Sequence, residues 1–231
     1  MMSDLLTSLP PGALMMLAAV PLVLFPHHAR QVVMLLAIAG SAFSLTGGAG
    51  QHLNIEMLGF EMSLYRADHL SLPFAIVFHI AAALNVFYGW HERKATDHVA
   101  GLSYAGAAIA ALHAGDLVTL FIWWEATAVT SVFLILASGT QRARRAAMRY
   151  LIVQVASGVL LLAGAAMLYS ESGSLAFAGM TLGSTGTWMI FIAFGIKAAF
   201  PLLNGWLQDA YPEATVVGTV VLSSFLSLIH I

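Results

Sequence analysis

The sequence contains no cysteine and very little charge: only 9% of its 231 residues are Asp, Glu, Lys or Arg. The first absence excludes disulfides, thiol catalysis and zinc–thiolate sites. The second excludes water as the main solvent, because charged residues make up about 25% of an ordinary soluble domain. The formal net charge of −2 supplies no basic surface for a nucleic-acid partner. No phosphate loop, dinucleotide fingerprint, nucleophile elbow or haem pattern occurs, so no cofactor and no enzyme of those classes is expected. The first residues carry Asp4 and no basic region, so the first apolar run reads as a retained span and not as a signal peptide. What is present is apolar: 60% of the residues are hydrophobic and the mean hydropathy is +0.87. These values describe an all-α polytopic membrane protein.

Apolar runs fall at about residues 11–25, 31–46, 70–90, 99–114, 117–138, 146–169, 187–207 and 215–231, which gives eight transmembrane helices, the last incomplete. Between the second and third, LNIEMLGFEMSLY alternates apolar and polar residues around Leu58 and Gly59. It reads as a small β-hairpin on the membrane surface, or as an irregular loop. Arg30, Arg93, Lys94, Arg142, Arg144, Arg145 and Arg149 follow the first, third and fifth runs. The alternate loops carry Glu56, Glu61, Asp68, Asp116 and Glu171, opposed only by Arg66. The positive-inside rule then puts the N-terminus outside.

Two charges lie inside the apolar runs. Glu125 sits near the middle of residues 116–138, where an acidic side chain costs about 2.5–3.5 kcal/mol to insert, so such residues face a bundle interior and mark ion or proton paths. Lys197 sits at a matching depth in the seventh run, and both helices run from outside to inside. Pro201, four residues on, has no N–H for the Lys197 carbonyl, so the helix is expected to bend or break at the lysine. In low dielectric a Glu125–Lys197 pair favours both charged forms and separation favours both neutral ones, so opening the pair pushes a proton off Lys197. A structural ion pair that only fixes helix packing is the alternative.

His79 in the third run and His113 at the end of the fourth are possible relay groups, or packing histidines. Gln154, Thr127, Thr130 and Ser131 hold water in a chain or act as interhelical hydrogen-bonding groups. His27, His28, His91, Glu92, Asp97 and His98 lack a metal-ligand spacing and read as solvated loops, with no metal expected. Trp123 and Trp124 lie too deep for an aromatic belt and read as packing residues.

DLVTLFIWWEATAVTSVFLIL, which holds Asp116 and Glu125, and GIKAAFPLLNGWLQDAYPEATVVGTVVLSSF, which holds Lys197, Pro201, Trp206, Asp209, Ala210 and Pro212, resemble the proton-conducting membrane subunits shared by respiratory complex I and the Mrp-type multisubunit cation/proton antiporters. The PEAT segment followed by GTVVLSSF is most similar to the D-type antiporter subunit. The resemblance implies an antiporter-like fold of about fourteen helices, with two inverted five-helix repeats, a broken seventh helix and a surface hairpin before the third. It implies that a glutamate matching Glu125 and a lysine matching Lys197 form the first half of a proton path, without a redox centre. It also implies sister membrane subunits as partners, protons and Na+ as the ions, the lipid bilayer of the inner cell membrane as the setting, and a transporter subunit in place of an enzyme. Two other readings stand beside it: a proton-pumping subunit of a complex I-like oxidoreductase or membrane hydrogenase, and a non-conducting scaffold subunit.

The family resemblance organises the chain as N-terminal helices with the hairpin over 1–110 and the start of the proton-conducting domain over 111–225. Residues 226–231 depart from the family pattern: Leu228 takes a basic position, and LSLIHI matches a translated sequencing adapter. They are expected to be a non-native tail on a truncated fragment, in which His230 carries no function.

Overall fold

The computed structural model describes residues 10–50, 52–57, 59–177 and 180–229. Leu58 of the hairpin turn and His230 of the expected tail lie outside them. Among the described residues the helices are α1 (Pro11–Ala19, extended by a 3-10 turn Val20–Leu24), α2 (His27–Phe43), α3 (Ser71–Tyr88), α4 (Ala95–Leu112), α5 (Leu117–Leu136), α6 (Gln141–Ser172), α7 (Thr185–Lys197), α8 (Gly205–Ala210) and α9 (Val216–Ile229). Strands β1 (His52–Met57) and β2 (Phe60–Arg66) form an antiparallel pair between α2 and α3. The eight apolar runs thus correspond to α1 to α6, the broken α7–α8 and α9, and the alternating segment is a hairpin and not an irregular loop.

Among the described residues, four helices are long and apolar enough to cross a membrane, and three shorter apolar helices accompany them. Apolar side chains such as Leu36, Leu84, Phe133 and Ile152 stand exposed on the outer faces, as lipid-facing groups do. Helix α4 is different. Twelve of its 18 residues are buried, most of them Ala or Gly, and α1, α2, α3, α5 and α9 all pack on it. Lipid tails are as apolar as leucine, so helices in a bilayer gain little from burying large apolar groups and associate where small residues let backbones approach. That is why a helix rich in alanine and glycine can be the central one. The same principle locks α6 to α7, where a Cβ on Gly164 would lie 2.7 Å from the Gly186 carbonyl oxygen.

The bundle has two unlike ends. At one end the hairpin is sewn to the α4–α5 connection: the Ser63 amide donates to Asp116 Oδ2 at 2.7 Å, the Gly115 amide to the Ser63 carbonyl at 3.0 Å and the Arg66 amide to the His113 carbonyl at 2.8 Å. A bulge, with pairing that jumps from Leu53–Tyr65 to Asn54–Ser63, turns both Met62 and Tyr65 inward. At the other end the basic residues gather. Arg30 donates to the Arg93 carbonyl at 3.0 Å, and Lys94 to the Ala137 carbonyl at 3.1 Å. Helix α6, with 32 residues and a length of about 48 Å, outruns a hydrocarbon core of about 30 Å and carries Arg142, Arg144, Arg145 and Arg149 on its first turns.

The chain unwinds earlier than Pro201 alone requires. Helix α7 stops at Lys197; Ala199 (φ 53°) and Leu202 (φ 74°) adopt left-handed backbone, and the Phe200 amide bonds back to the Gly195 carbonyl at 2.9 Å. Two non-glycine residues in that region store backbone strain, which persists where surrounding structure holds it. Here Arg149 forks onto Asp209 at 2.6 and 2.7 Å, and Arg142 pairs with Glu213. These pairs brace α8 and the turn after it against α6. Arg149 also holds the Asp209 carboxyl below the ordinary carboxylate range.

Candidate functional site

Asp116 sets where α5 begins. Its Oδ1 accepts from the Val118 and Thr119 amides and its Oδ2 from the Thr119 hydroxyl and the Ser63 amide, so a buried carboxylate is satisfied by four donors. From this cap α5 runs 20 residues and places Glu125 near its middle. The Glu125 carboxylate rests on Gly158 of α6: a Cβ at that position would land on Oε1. Oε1 is buried and lacks a hydrogen-bond partner among the described residues. Gln154, one helical turn from Gly158, is fully buried, with both amide atoms unpartnered among the described residues. Buried polar groups of this kind are completed by water, because leaving each unpaired costs about 1–3 kcal/mol. Gly158→Ala is expected to push the Glu125 carboxylate off its seat and to cost the full-length subunit no more than about 1 kcal/mol, because the end of a flexible side chain shifts easily, measured by thermal unfolding. Glu125→Ala in the same chain should relieve that loss.

Lys197 ends α7, where the helix break leaves it beside α5. Its Nζ donates to the Trp124 carbonyl at 3.4 Å and lies 5.1 Å from the centre of the Trp124 ring. The ring is held from its other sides by Phe194, at 5.0 Å between centroids, and by a hydrogen bond from Trp124 Nε1 to Ser157 Oγ at 3.2 Å. Glu125 and Lys197 are within electrostatic reach of each other and do not form a direct ion pair. Lys197 is turned to Trp124, and the Glu125 carboxylate to Gly158. A cavity of about 440 Å³ opens beside Lys197 and extends past Trp124 and Thr127 towards Asp68 and Ser71 at the hairpin end. Asp68 stays ionised there, since the Ser71 amide first, and then Leu70 and Arg66, hold its carboxyl below the ordinary range.

The other candidates sit apart from this pair. His79 Nδ1 meets the Ala75 carbonyl at 2.7 Å and Nε2 meets Ser41 Oγ at 2.9 Å, while the Ser41 hydroxyl donates to the Pro11 carbonyl. His113 donates from Nδ1 to the Ile109 carbonyl at 2.9 Å and packs under Tyr65 of the hairpin, with Nε2 buried and unpartnered among the described residues. Ser131 and Tyr150 share a hydrogen bond at 2.8 Å, two turns along α6 from Gly158. Thr130 bonds to its own helix, to the Ala126 carbonyl. Pro201 lies in the turn after α7 and makes no part of the polar site. Asp97 and His98 are not solvated: they are 3% and 4% exposed, because the first turn of α4 is covered by neighbouring elements.

Residues 114–230 match the family described as NADH:quinone oxidoreductase/Mrp antiporter, TM, a stretch that includes Glu125, Gln154 and Lys197. The chain belongs to this family. Within the NADH:quinone oxidoreductase/Mrp antiporter family, the NAD(P)H-quinone oxidoreductase chain 4 2 of Trichodesmium erythraeum is 30% identical over 193 residues, covering 76% of this chain and 33% of that protein. Chain 4 1 of Synechococcus elongatus is 28% identical over 183 residues, covering 74% and 34%. The chain thus spans about a third of the length of these relatives. Among solved structures, the archaeal membrane-bound sulfane sulfur reductase superposes with a TM-score of 0.75 at 24% identity over 98% of this chain and 38% of its own. The Mrp complex from Dietzia sp. DQ12-45-1b gives 0.72 at 21%, over 92% and 46%. These likenesses show a shared fold.

Four members of the site were not marked as such by the sequence. Trp124 was read only as packing, although its place next to Glu125 was the available signal. Gly158 and Ser157 lie one turn beyond Gln154 on the same helix. Trp206 donates from Nε1 to the Ile196 carbonyl at 3.0 Å, which also accepts from the Ala199 amide at 3.1 Å, so the indole ties α8 to the turn that follows Lys197.

Proposed function

We propose that the chain is part of a proton-translocating membrane subunit in which Glu125 and Lys197 pass protons. The observation that carries this reading is the placement of Lys197 at a helix break, held by the Trp124 carbonyl and ring, beside a Glu125 carboxylate with one buried, unpartnered oxygen. A pair built only for packing would close into a direct ion pair, since an open one leaves desolvation uncompensated. The open arrangement suits a switch: a proton taken up by Glu125, or one released by Lys197, changes the field at the other. Gln154, His79 and His113 are the proposed relay groups, with water completing the buried amide of Gln154. The N-terminus is proposed to lie outside, with the arginine-rich end of the bundle inside and the sister subunits around it.

The assembly we propose is a multisubunit Na+/H+ antiporter of the Mrp type, with this chain in the D-type subunit; the PEAT–GTVVLSSF segment supports it. A complex I-like or membrane-hydrogenase assembly is the second reading, favoured by relatives named as quinone oxidoreductase chain 4. Everted vesicles holding the full-length subunit in its native complex separate the two. For the antiporter, added Na+ should collapse an imposed pH gradient without any electron donor. Proton movement that appears only with an electron donor would establish the second reading instead.

A further inference from the structure

Among the described residues two aspartates are buried, Asp97 in the first turn of α4 and Asp116 at the cap of α5, and they are treated very differently. Asp116 receives four donors. Asp97, 3% exposed in the first turn of α4, receives one: the Thr215 hydroxyl donates to Oδ1 at 2.6 Å. Its Oδ2 is buried without a partner among the described residues, and Asp97 lines a small cavity of about 30 Å³ with Asn85 and His98 as the other polar walls and Val86, Leu102, Val221 and Phe225 among the apolar ones. That volume holds one or two waters.

The charged groups near Asp97 are turned elsewhere. Lys94 spends its ammonium on the Ala137 carbonyl. His98 points Nε2 at the Glu92 carbonyl at 2.8 Å; a carbonyl only accepts, so that nitrogen carries the hydrogen and donates away from Asp97. Glu92, itself acidic, accepts from the Arg93 and Lys94 amides. The start of α4 favours negative charge, but that effect is small beside the cost of burying an unpaired carboxylate. A hard cation in the cavity would find the Asp97 and Asn85 oxygens beside the His98 ring, short of the full shell of oxygens such ions take. Asn85 already directs its Nδ2 to Ser224 Oγ at 2.9 Å, which leaves its amide oxygen as an acceptor.

We propose that Asp97 is a second proton-binding site of this chain, holding a proton on Oδ2 and sharing it through one water with Asn85, at the arginine-rich end of the bundle. The site does not depend on Glu125 or Lys197. Under the proposed function it would serve protons at the end opposite the hairpin. Thr215, which donates to Asp97 and accepts from the Gly218 amide, ties its state to the start of α9.

Infrared spectroscopy of the full-length subunit in its complex tests the assignment. At neutral pH a carbonyl-stretch band of a protonated carboxyl, sensitive to deuterium exchange, should be present in the wild type and in Glu125→Gln, and absent in Asp97→Asn. If Asp97→Asn does not assemble, wild-type complex labelled with carbon-13 aspartate should show the band shifted by the label. A band unchanged by Asp97→Asn or by the label overturns the proposal. So does a band that is missing in Na+ buffer and appears on replacing Na+ with choline, which would make Asp97 a cation site. Failure of the Glu125–Lys197 reading would instead appear as normal transport in Glu125→Gln, with the Asp97 band intact.

Discussion

The full-length subunit carrying Lys197→Arg is expected to assemble and to lose proton-coupled transport by on the order of 10²-fold or more. Arginine keeps the positive charge, reaches the Trp124 carbonyl and stacks on the Trp124 ring at least as well as lysine. What it cannot do is give up its proton. A structural role for Lys197, as the cation that seats α7 against α5, is therefore rescued by arginine, and a proton-transfer role is not. Lys197→Ala should also abolish transport, but it removes the contact with Trp124 at the same time, so the arginine variant decides between the two roles. Proton flux in vesicles, normalised to the amount of assembled complex, is the measurement.

Much of this architecture was readable from the residues alone. The eight apolar runs and the alternation around Gly59 mark the helices and the hairpin because periodicity and solvent contrast are local properties. The helix break was legible in Pro201, yet its position was not: α7 ends at Lys197 because Ala199 and Leu202 take left-handed backbone, which no local preference of alanine or leucine signals. A matching depth in two helices expected to run the same way placed Glu125 and Lys197 in one neighbourhood, but depth does not fix rotation about the helix axis, and the structure turns Lys197 to the Trp124 carbonyl. Asp97 and His98 looked like loop residues for a similar reason. Their polarity is local, whereas their burial comes from elements distant in sequence, such as Thr215 at the start of α9. The clamps Arg142–Glu213 and Arg149–Asp209 join residues 71 and 60 positions apart, and the arginines, read alone, signalled only topology.

Glu125→Gln is the second substitution with a large expected effect. Glutamine matches glutamate in size and fits the seat over Gly158, and its amide offers a donor where Oε1 now has no partner. Packing and helix association should therefore survive, and thermal stability should be equal to or slightly above that of the wild type, since an uncompensated buried carboxylate is removed. Transport should fall by on the order of 10²-fold, because the side chain no longer takes up a proton and Lys197 no longer feels a negative charge that comes and goes. Stability and activity move in opposite directions in this variant, which a packing defect would not produce.

The most direct test is proton-coupled cation efflux in vesicles containing the full-length Glu125→Gln subunit, with assembly of the complex verified in the same preparation. The Glu125–Lys197 account predicts an assembled complex that moves no protons. An assembled complex with wild-type efflux would contradict it and leave the chain a scaffold.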